Sequence, residues 1–243
     1  MKPFVIIQLR PENETADNEY AAILKFGGLT AGETVRVRAE QTGVPNLSLD
    51  DYSGIIVGGS PFDISTPLAQ KTPLQLEIEA GFRKLFDTVV ARDFPFLGAC
   101  SGNGLLGSYC GASISKRYGE PVGGVDVTIT PDGTRDPLLE GLPSPFRALV
   151  GHKEACDLTP PRATLLASSA TCPVQMFRVG TNVYATQFHP EGDADGFTVR
   201  INIYKHHGYF PPESATQLIA TVAREDVRHA NEILRRFVAR YRQ

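Results

Sequence analysis

The stretch FLGACSGNGLLG, residues 96–107, decides the fold, and two motifs overlap within it. Read from Gly102, it is Gly-x-Gly-x-x-Gly, the phosphate-binding turn of dinucleotide sites. Read from Gly98, it is Gly-x-Cys-x-Gly, a sharp turn from a strand into a helix that exposes a nucleophile. Both motifs need a strand before the turn and a helix after it. They differ in whether Cys100 carries the chemistry.

The nucleophile turn accounts for more of these residues. A residue that joins a strand directly to a helix adopts a strained backbone, and small residues at Gly98 and Gly102 relieve the crowding. The sulfur of Cys100 would lie at the start of a helix predicted over 102–110, where free N–H groups favour an anion. We therefore expect its thiol pKa to fall below the ordinary value of about 8.5. The alternative is that Cys100 is a buried, inert packing residue.

The dinucleotide motif needs an acidic residue about twenty positions after its glycines, and Glu120 stands near that distance. However, the turn follows the fourth predicted strand instead of opening the fold, and Gly102 to Gly107 already fall within the first helical turns. A dinucleotide-binding or regulatory module with an inert Cys100 is therefore the third-ranked hypothesis.

Short apolar runs bounded by Gly, Pro or polar residues predict the remaining strands. The runs at 4–7, 55–57 and 94–97 are nearly continuous, which is typical of parallel strands covered on both faces. The predicted strands span 4–10, 34–40, 53–59, 94–100, 125–130, 146–150, 163–170, 174–180 and 182–188. The predicted helices span 17–29 with an Asp17 cap, 73–90, 102–110, 196–206, 213–223 and 225–242.

This order of elements predicts an α/β fold, a mostly parallel, doubly wound, flavodoxin-like sheet with right-handed crossovers and flanking helices. Because no linker or internal repeat occurs, we expect a single domain over 1–243. Its motif-bearing core spans about 50–192, and a helical C-terminal region spans 195–243. The basic segment 225–242 is interpreted as a solvated outer helix and not as a nucleic-acid-binding helix. Its inward face holds Ile233, Leu234, Phe237 and Val238.

The composition of the chain argues against several classes of protein and of binding partner. The chain has 243 residues and a formal net charge of -3, which gives no electrostatic reason to expect nucleic acid or an anionic membrane as a partner. Its four cysteines lack zinc-ligand spacing and are too few for a secreted disulfide scaffold. No apolar stretch approaches the roughly 20 residues that span a bilayer. We expect a cytoplasmic protein without a metal site.

A second motif supplies a partner for the thiol. The stretch YATQFHPEGD, residues 184–193, places His189 and Glu191 just after a predicted strand. A thiol nucleophile needs a base to accept its proton, and the base needs an acid to orient it. Because open α/β sheets gather their sites at the carboxyl ends of the strands, we expect His189 to face Cys100 there.

With these motifs the sequence resembles the class I (triad) glutamine amidotransferases, and more narrowly the amidotransferase domain of GMP synthase. Over roughly 50–192, SGIIVGGSP resembles the family's Gly-Gly oxyanion loop, FPFLGACSGNGLLG its elbow and ATQFHPE its His-x-Glu signature. The resemblance implies that Cys100 attacks the γ-carboxamide carbon of glutamine. His189 would pass the proton to ammonia, and Glu191 would orient His189. Water would then hydrolyse a γ-glutamyl thioester.

Further roles follow from the resemblance. The expected oxyanion donors are the backbone N–H of Ser101 and that of Gly58 or Gly59. Gln187 and His152 would lie near the substrate. The other cysteines are expected to be packing residues and two late histidines a solvent-facing helical pair, namely Cys110, Cys156, Cys172, His206 and His207.

The sequence departs from the family at Gly104, where many relatives carry a substrate-binding Gln, and at Gly151, where Ser is frequent. Either a pocket wall vacated at Gly104 would admit a bulkier γ-glutamyl compound, or the substrate would be held differently. The leading hypothesis is a stand-alone glutamine amidotransferase without a cofactor. It would pass ammonia to a separate synthetase subunit, since the chain shows no ATP-binding loop. The runner-up is a γ-glutamyl peptide or amide hydrolase with the same triad.

Overall fold

The computed structural model describes residues 2–206 and 209–243, so one of the two late histidines, His207, lies outside the described residues. The other, His206, is exposed just after a helix. The strands are β1 (Phe4–Gln8), β2 (Thr34–Arg38), β3 (Gly54–Val57), β4 (Phe96–Ala99), β5 (Ile114–Ser115), β6 (Glu120–Ile129), β7 (Phe146–His152), β8 (Ala155–Cys156), β9 (Ala163–Ser168), β10 (Met176–Val179) and β11 (Val183–Thr186). The α-helices are α1 (Asn13–Gly27), α2 (Ala39–Thr42), α3 (Pro73–Ala91), α4 (Ser101–Tyr109), α5 (Ala194–Tyr204), α6 (Ala215–Val222) and α7 (Arg228–Tyr241).

Nine strands form one sheet in the order β2-β1-β3-β4-β11-β10-β9-β6-β7. Neighbours from β2 to β11 run parallel, and those from β11 to β7 run antiparallel. This confirms the predicted α/β fold, with the meander of short strands extending the parallel part. The small sheet of β5 and β8 was not predicted, because two-residue strands carry no periodicity.

The parallel strands at the centre of the sheet are buried along their whole length, because helices cover both faces of the sheet. On one face Phe4 packs against Phe237 of α7, and on the other Phe96 packs against Phe86 of α3. Alternate residues of a strand thus enter opposite cores. The inward face of α7 is confirmed, since its four apolar residues are at most 1% exposed.

Two predicted boundaries are wrong by four residues or more, and the others differ by at most three. Helix α1 begins four residues before the expected Asp17 cap, and Asp17 instead pairs with Arg36 on the surface at 2.7 Å. Strand β6 begins at Glu120, five residues before the prediction, and its register shifts between Glu120 and Gly123. Glycines at this shift interrupt the alternating pattern from which a strand is predicted.

The junction of β4 and α4 depends on a close backbone approach at Gly98. A Cβ atom on Gly98 would lie 2.8 Å from the carbonyl carbon of Gly102 and 2.9 Å from its Cα. A Cβ on Gly102 would make only ordinary contacts, the nearest at 3.5 Å to Val57. The steric requirement for glycine therefore lies at Gly98, and the backbone of Gly102 is the obstacle.

We predict that Gly98→Ala lowers the free energy of unfolding by about 1–3 kcal/mol, because the added methyl separates β4 from α4. Urea denaturation followed by circular dichroism measures the change. Gly123→Ala is the matched control, since a Cβ there meets nothing within 4 Å. Equal stability of the two variants would contradict the close approach.

Candidate active site

Cys100 occupies the strained turn between β4 and α4. Its backbone has φ 51° and ψ -96°, a region that side-chain-bearing residues rarely adopt. Such strain persists only where the surrounding structure enforces it. Here the Cys100 N–H donates to the Thr186 carbonyl at 2.8 Å, and α4 begins at the next residue. The structure therefore gives Cys100 the backbone of the nucleophile turn that the sequence predicted.

Pairing of β4 with β11 brings the second motif to the same edge of the sheet. The two strands are parallel, with Ala99 opposite Thr186, so that Cys100 and His189 both follow carboxyl ends of neighbouring strands. The His189 N–H donates to the Leu149 carbonyl at 3.0 Å, which fixes the turn after β11. Cys100 and His189 line one common cavity, which we call the second cavity and which Arg10 and Arg200 also line.

A carboxylate and a guanidinium hold the imidazole of His189. Its Nδ1 lies 2.7 Å from Glu191 Oε1, while Arg200 Nη2 donates to the same oxygen at 3.0 Å. Because a carboxylate only accepts, the His189 Nδ1 carries the proton and its Nε2 is the basic nitrogen. All three side chains are buried. Arg200 was not predicted, because nothing in the spacing of α5 links it to the histidine.

The resting thiol and imidazole are both neutral. Burial lowers the pKa of His189, and the nearby Arg200 lowers it further against the opposing effect of Glu191. Burial raises the pKa of Cys100 to about 12, and the positive charges of Arg10 and Arg200 only partly offset this effect. The prediction of a lowered thiol pKa is therefore wrong for this conformation, because loss of solvation outweighs the nearby positive charges.

The two glycines of the predicted oxyanion loop have their N–H groups engaged elsewhere. The Gly58 N–H donates to the Ile7 carbonyl, and the Gly59 N–H donates to Glu19 Oε1, each at 3.1 Å. Neither amide is free to bind an oxyanion in this conformation, so that prediction is not met here. Within the described part of the chain, the Ser101 N–H has no acceptor, unlike the two glycine amides.

A buried ion pair explains why both loop positions are glycine. Arg10 Nε donates to Glu19 Oε1 at 2.7 Å, directly beneath the loop. A Cβ on Gly58 would lie 2.3 Å from Glu19 Oε2, and one on Gly59 would lie 2.5 Å from Arg10 Nη2. The sequence motifs did not predict this pair, although a charged residue just past the carboxyl end of β1 is a signal for Arg10.

His152 and Gln187 line a neighbouring cavity at Cys100, which we call the first cavity and whose lining also includes Asp63 and Lys153. The His152 Nδ1 lies 2.9 Å from the Glu154 carbonyl, and its Nε2 lies 2.8 Å from Glu120 Oε2. Both ring nitrogens are engaged, so His152 holds the cavity wall. The side chain of Gln187 is buried and its Oε1 has no partner among the described residues.

The space expected to be vacant at Gly104 is filled. A Cβ on Gly104 would lie 2.8 Å from Cδ1 of Ile64, which enters from the loop after the oxyanion glycines. Glu154 pins this loop, because its carboxylate accepts from the N–H of Ile64 at 2.6 Å and of Ser65 at 2.8 Å. The expectation of a vacated pocket wall at Gly104 is therefore wrong.

The residues of the dinucleotide motif serve packing instead. Glu120 is 3% exposed and accepts from His152 and from Gln175 Nε2, the latter at 2.7 Å, so it is not available to a ribose. Gly107 lies inside α4, where a Cβ would come within 2.5 Å of Cys156 Sγ. These contacts contradict the dinucleotide hypothesis, which requires a free Glu120 and a glycine turn outside the helix.

The remaining cysteines lie away from the site. Cys156 and Cys172 are buried, and burial raises the pKa of the half-buried Cys110 to about 11. Over 2–206 and 209–243, no group of three or more His, Cys, Asp or Glu side chains is arranged to hold a metal ion. Over the same ranges, every helix is too short or too polar to cross a membrane.

Comparison with known proteins places the chain in a family. The family model "Glutamine amidotransferase class-I" matches residues 16–200, and the chain belongs to this family, as its motifs predicted. A subunit of the glutamine-hydrolysing GMP synthase of Sulfurisphaera tokodaii is 30% identical over 169 residues, covering 69% of this chain and 79% of that protein. The glutamine amidotransferase-like protein YfeJ of Salmonella typhimurium is 29% identical over 156 residues. This second match covers 64% of the chain and 63% of YfeJ, less than two thirds of that relative.

Solved structures share the fold. A glutamine amidotransferase from Thermotoga maritima matches with a TM-score of 0.77 and 21% identity, over 99% of this chain and 98% of that one. The protein SMU.1228c matches with a TM-score of 0.76 and 21% identity, over 99% and 100% of the two chains. These likenesses extend the family's fold along the whole described chain.

We predict that Arg200→Gln raises the pKa of His189, because it removes a positive charge that disfavours the imidazolium. Titration of the His189 ring by NMR measures this pKa, which lies below the ordinary value of about 6.5 in the unaltered protein. Arg200→Lys keeps the charge and is the control, with a smaller rise expected. An unchanged or lower pKa in Arg200→Gln would contradict the electrostatic effect.

Proposed function

We propose that this protein hydrolyses the γ-amide of glutamine through Cys100, His189 and Glu191. One observation carries the proposal: a cysteine in a strained turn shares a cavity with a histidine whose Nδ1 is held by a buried carboxylate. This is the arrangement of nucleophile, base and orienting acid that acyl transfer needs. Membership of the class I glutamine amidotransferase family supports glutamine as the substrate.

The first cavity offers opposite charges for the amino-acid end of glutamine. Lys153 Nζ and Asp63 Oδ2 lie 3.9 Å apart on its wall, and both side chains are partly exposed. We assign Lys153 to the substrate α-carboxylate and Asp63 to its α-ammonium group. The amide of Gln187, which has an oxygen without a partner among the described residues, is the third polar contact on this side.

Because the Cys100 thiol and the His189 imidazole are both neutral at rest, the thiol proton must move as the sulfur attacks. His189 Nε2 accepts the thiol proton as Cys100 Sγ attacks the γ-carbon, and the resulting imidazolium is stabilised by Glu191. The Ser101 N–H binds the oxyanion, a contribution of about 3 kcal/mol for such a donor. Glu19 must release the Gly59 N–H before that amide can serve as a second donor.

Collapse of the tetrahedral intermediate completes the acylation. The carbon–nitrogen bond breaks, His189 gives its proton to the leaving nitrogen, and ammonia departs from a γ-glutamyl thioester on Cys100. A water molecule then attacks the thioester, with His189 accepting one of its protons and returning it to the sulfur. The products are ammonia and glutamate, and no step needs a cofactor.

We further propose that the ammonia passes to a separate synthetase subunit. Several similar proteins are named as one subunit of a glutamine-hydrolysing GMP synthase, which describes a part of a larger enzyme. An acceptor site on another chain would explain why such a protein hydrolyses glutamine.

We predict that Cys100→Ala lowers kcat/KM for glutamine by about 10⁴-fold or more, because the acyl acceptor is lost. A coupled assay of glutamate release, run with and without a candidate synthetase, measures this rate. Cys110→Ala is the matched control and is expected to retain the rate, since its thiol lies outside the site. Normal turnover by Cys100→Ala would refute the proposed nucleophile.

A further inference from the structure

The second cavity has a lining that the departure of ammonia does not require. The two cavities adjoin at Cys100, and Ser60, Gly151 and Tyr209 also line both of them. Cys100 lines both cavities, whereas His189 lines only the second.

The position of His189 indicates which cavity holds each side of the scissile carbon–nitrogen bond. His189 must protonate the leaving nitrogen, so that nitrogen and anything attached to it face the second cavity. The acyl chain then extends into the first cavity, toward Asp63 and Lys153. A substituent on the nitrogen would therefore meet the walls of the second cavity.

Those walls are mostly apolar and come from the C-terminal part of the chain. Helix α5 and the residues after it supply aromatic and aliphatic side chains, and β6 adds one more. They are Phe197, Ile201, Tyr204, Tyr209, Phe210 and Val122. Ammonia, a small polar molecule, gains nothing from such a surface, whereas an amine with an apolar side group would bury it there.

One guanidinium of this cavity keeps a hydrogen-bond donor for a ligand. Arg10 Nε donates to Glu19 and its Nη1 donates to the Tyr204 hydroxyl, but its Nη2 has no acceptor among the described residues. Arg200 is already part of the triad's surroundings, since its Nη2 donates to Glu191 Oε1 at 3.0 Å and its Nη1 lies 3.2 Å from His189 Nδ1. A free carboxylate on the leaving amine would therefore pair with Arg10.

We propose that the second cavity binds the amine part of γ-glutamyl amino acids that have an apolar side chain. The side chain packs on the aromatic wall and the carboxylate binds Arg10 Nη2. This inference rests on the proposed triad and extends its substrates beyond glutamine. The chemistry is unchanged: the γ-carbon–nitrogen bond breaks, His189 protonates the amino-acid nitrogen, and water hydrolyses the thioester to glutamate.

The test compares three compounds on the unaltered protein: glutamine, γ-glutamyl-phenylalanine and γ-glutamyl-phenethylamide, which lacks the carboxylate. We expect kcat/KM for γ-glutamyl-phenylalanine to exceed that for glutamine by about 10-fold or more, because the benzyl group is buried. Loss of the carboxylate should lower kcat/KM by about 10-fold. The carboxylate is tested through the substrate, because Arg10→Gln would leave Glu19 as a buried charge without its cation.

A variant tests the apolar wall. Phe210→Ala should lower the ratio of kcat/KM for γ-glutamyl-phenylalanine to that for glutamine by about 5–10-fold. Phe26→Ala, on α1 and away from both cavities, is the matched control and should leave the ratio unchanged.

Three results would overturn the inference while leaving the proposed triad intact: glutamine hydrolysed faster than γ-glutamyl-phenylalanine, equal rates with and without the carboxylate, or a ratio unaffected by Phe210→Ala. Failure of the proposed function would look different, since neither glutamine nor any γ-glutamyl amide would then be hydrolysed.

Discussion

The parallel pairing of β4 with β11 is the constraint on which the whole site depends. The hydrogen bond from the Cys100 N–H to the Thr186 carbonyl continues this pairing one residue beyond β4. It holds the strained Cys100 at the end of β4, where the chain turns into α4. The chain that leaves β11 reaches His189 three residues after Thr186. Without this register the cysteine and the histidine would not line one cavity.

The strain at Cys100 is compatible with folding because its neighbours leave no alternative. Gly98 lets the first turn of α4 lie against β4, and buried apolar cores on both faces fix the two elements. Positive-φ backbone at a residue with a side chain costs on the order of 1–3 kcal/mol, which the rest of the structure must offset. The result is a sulfur atom presented at the sheet edge, between two cavities.

Electrostatics around the site favour a neutral pair in the resting protein. Burial disfavours both the thiolate and the imidazolium, while Arg10 and Arg200 add positive charge that stabilises only the thiolate. Proton transfer to His189 therefore has to accompany attack by the sulfur. The same two arginines connect this chemistry to the architecture, since Arg10 anchors the oxyanion loop through Glu19 and Arg200 holds Glu191.

Local motifs encode the parts of the site that could be predicted from the sequence. Cys100 and the His189–Glu191 pair stand next to strands whose apolar runs are plain, and the family resemblance followed from them. The sequence motifs did not predict the roles of Arg10, Glu19 and Arg200. These roles depend on contacts among α1, α5 and the loop glycines, which are distant in sequence.

The predictions that were wrong at other positions also failed because they depend on contacts between distant parts of the sequence. Ile64 fills the space at Gly104 from a loop forty residues earlier in the chain, and Glu120 is buried by partners on distant strands. The sign of the Cys100 pKa shift was wrong because it depends on burial, which no local motif reports.

Mass spectrometry after treatment with a diazo-ketone analogue of glutamine tests most directly whether Cys100 is a nucleophile facing a γ-glutamyl pocket. We expect one adduct per chain, on the peptide that contains Cys100, and protection by excess glutamine. An unlabelled Cys100, or an adduct on Cys110 that glutamine does not prevent, would contradict this central claim.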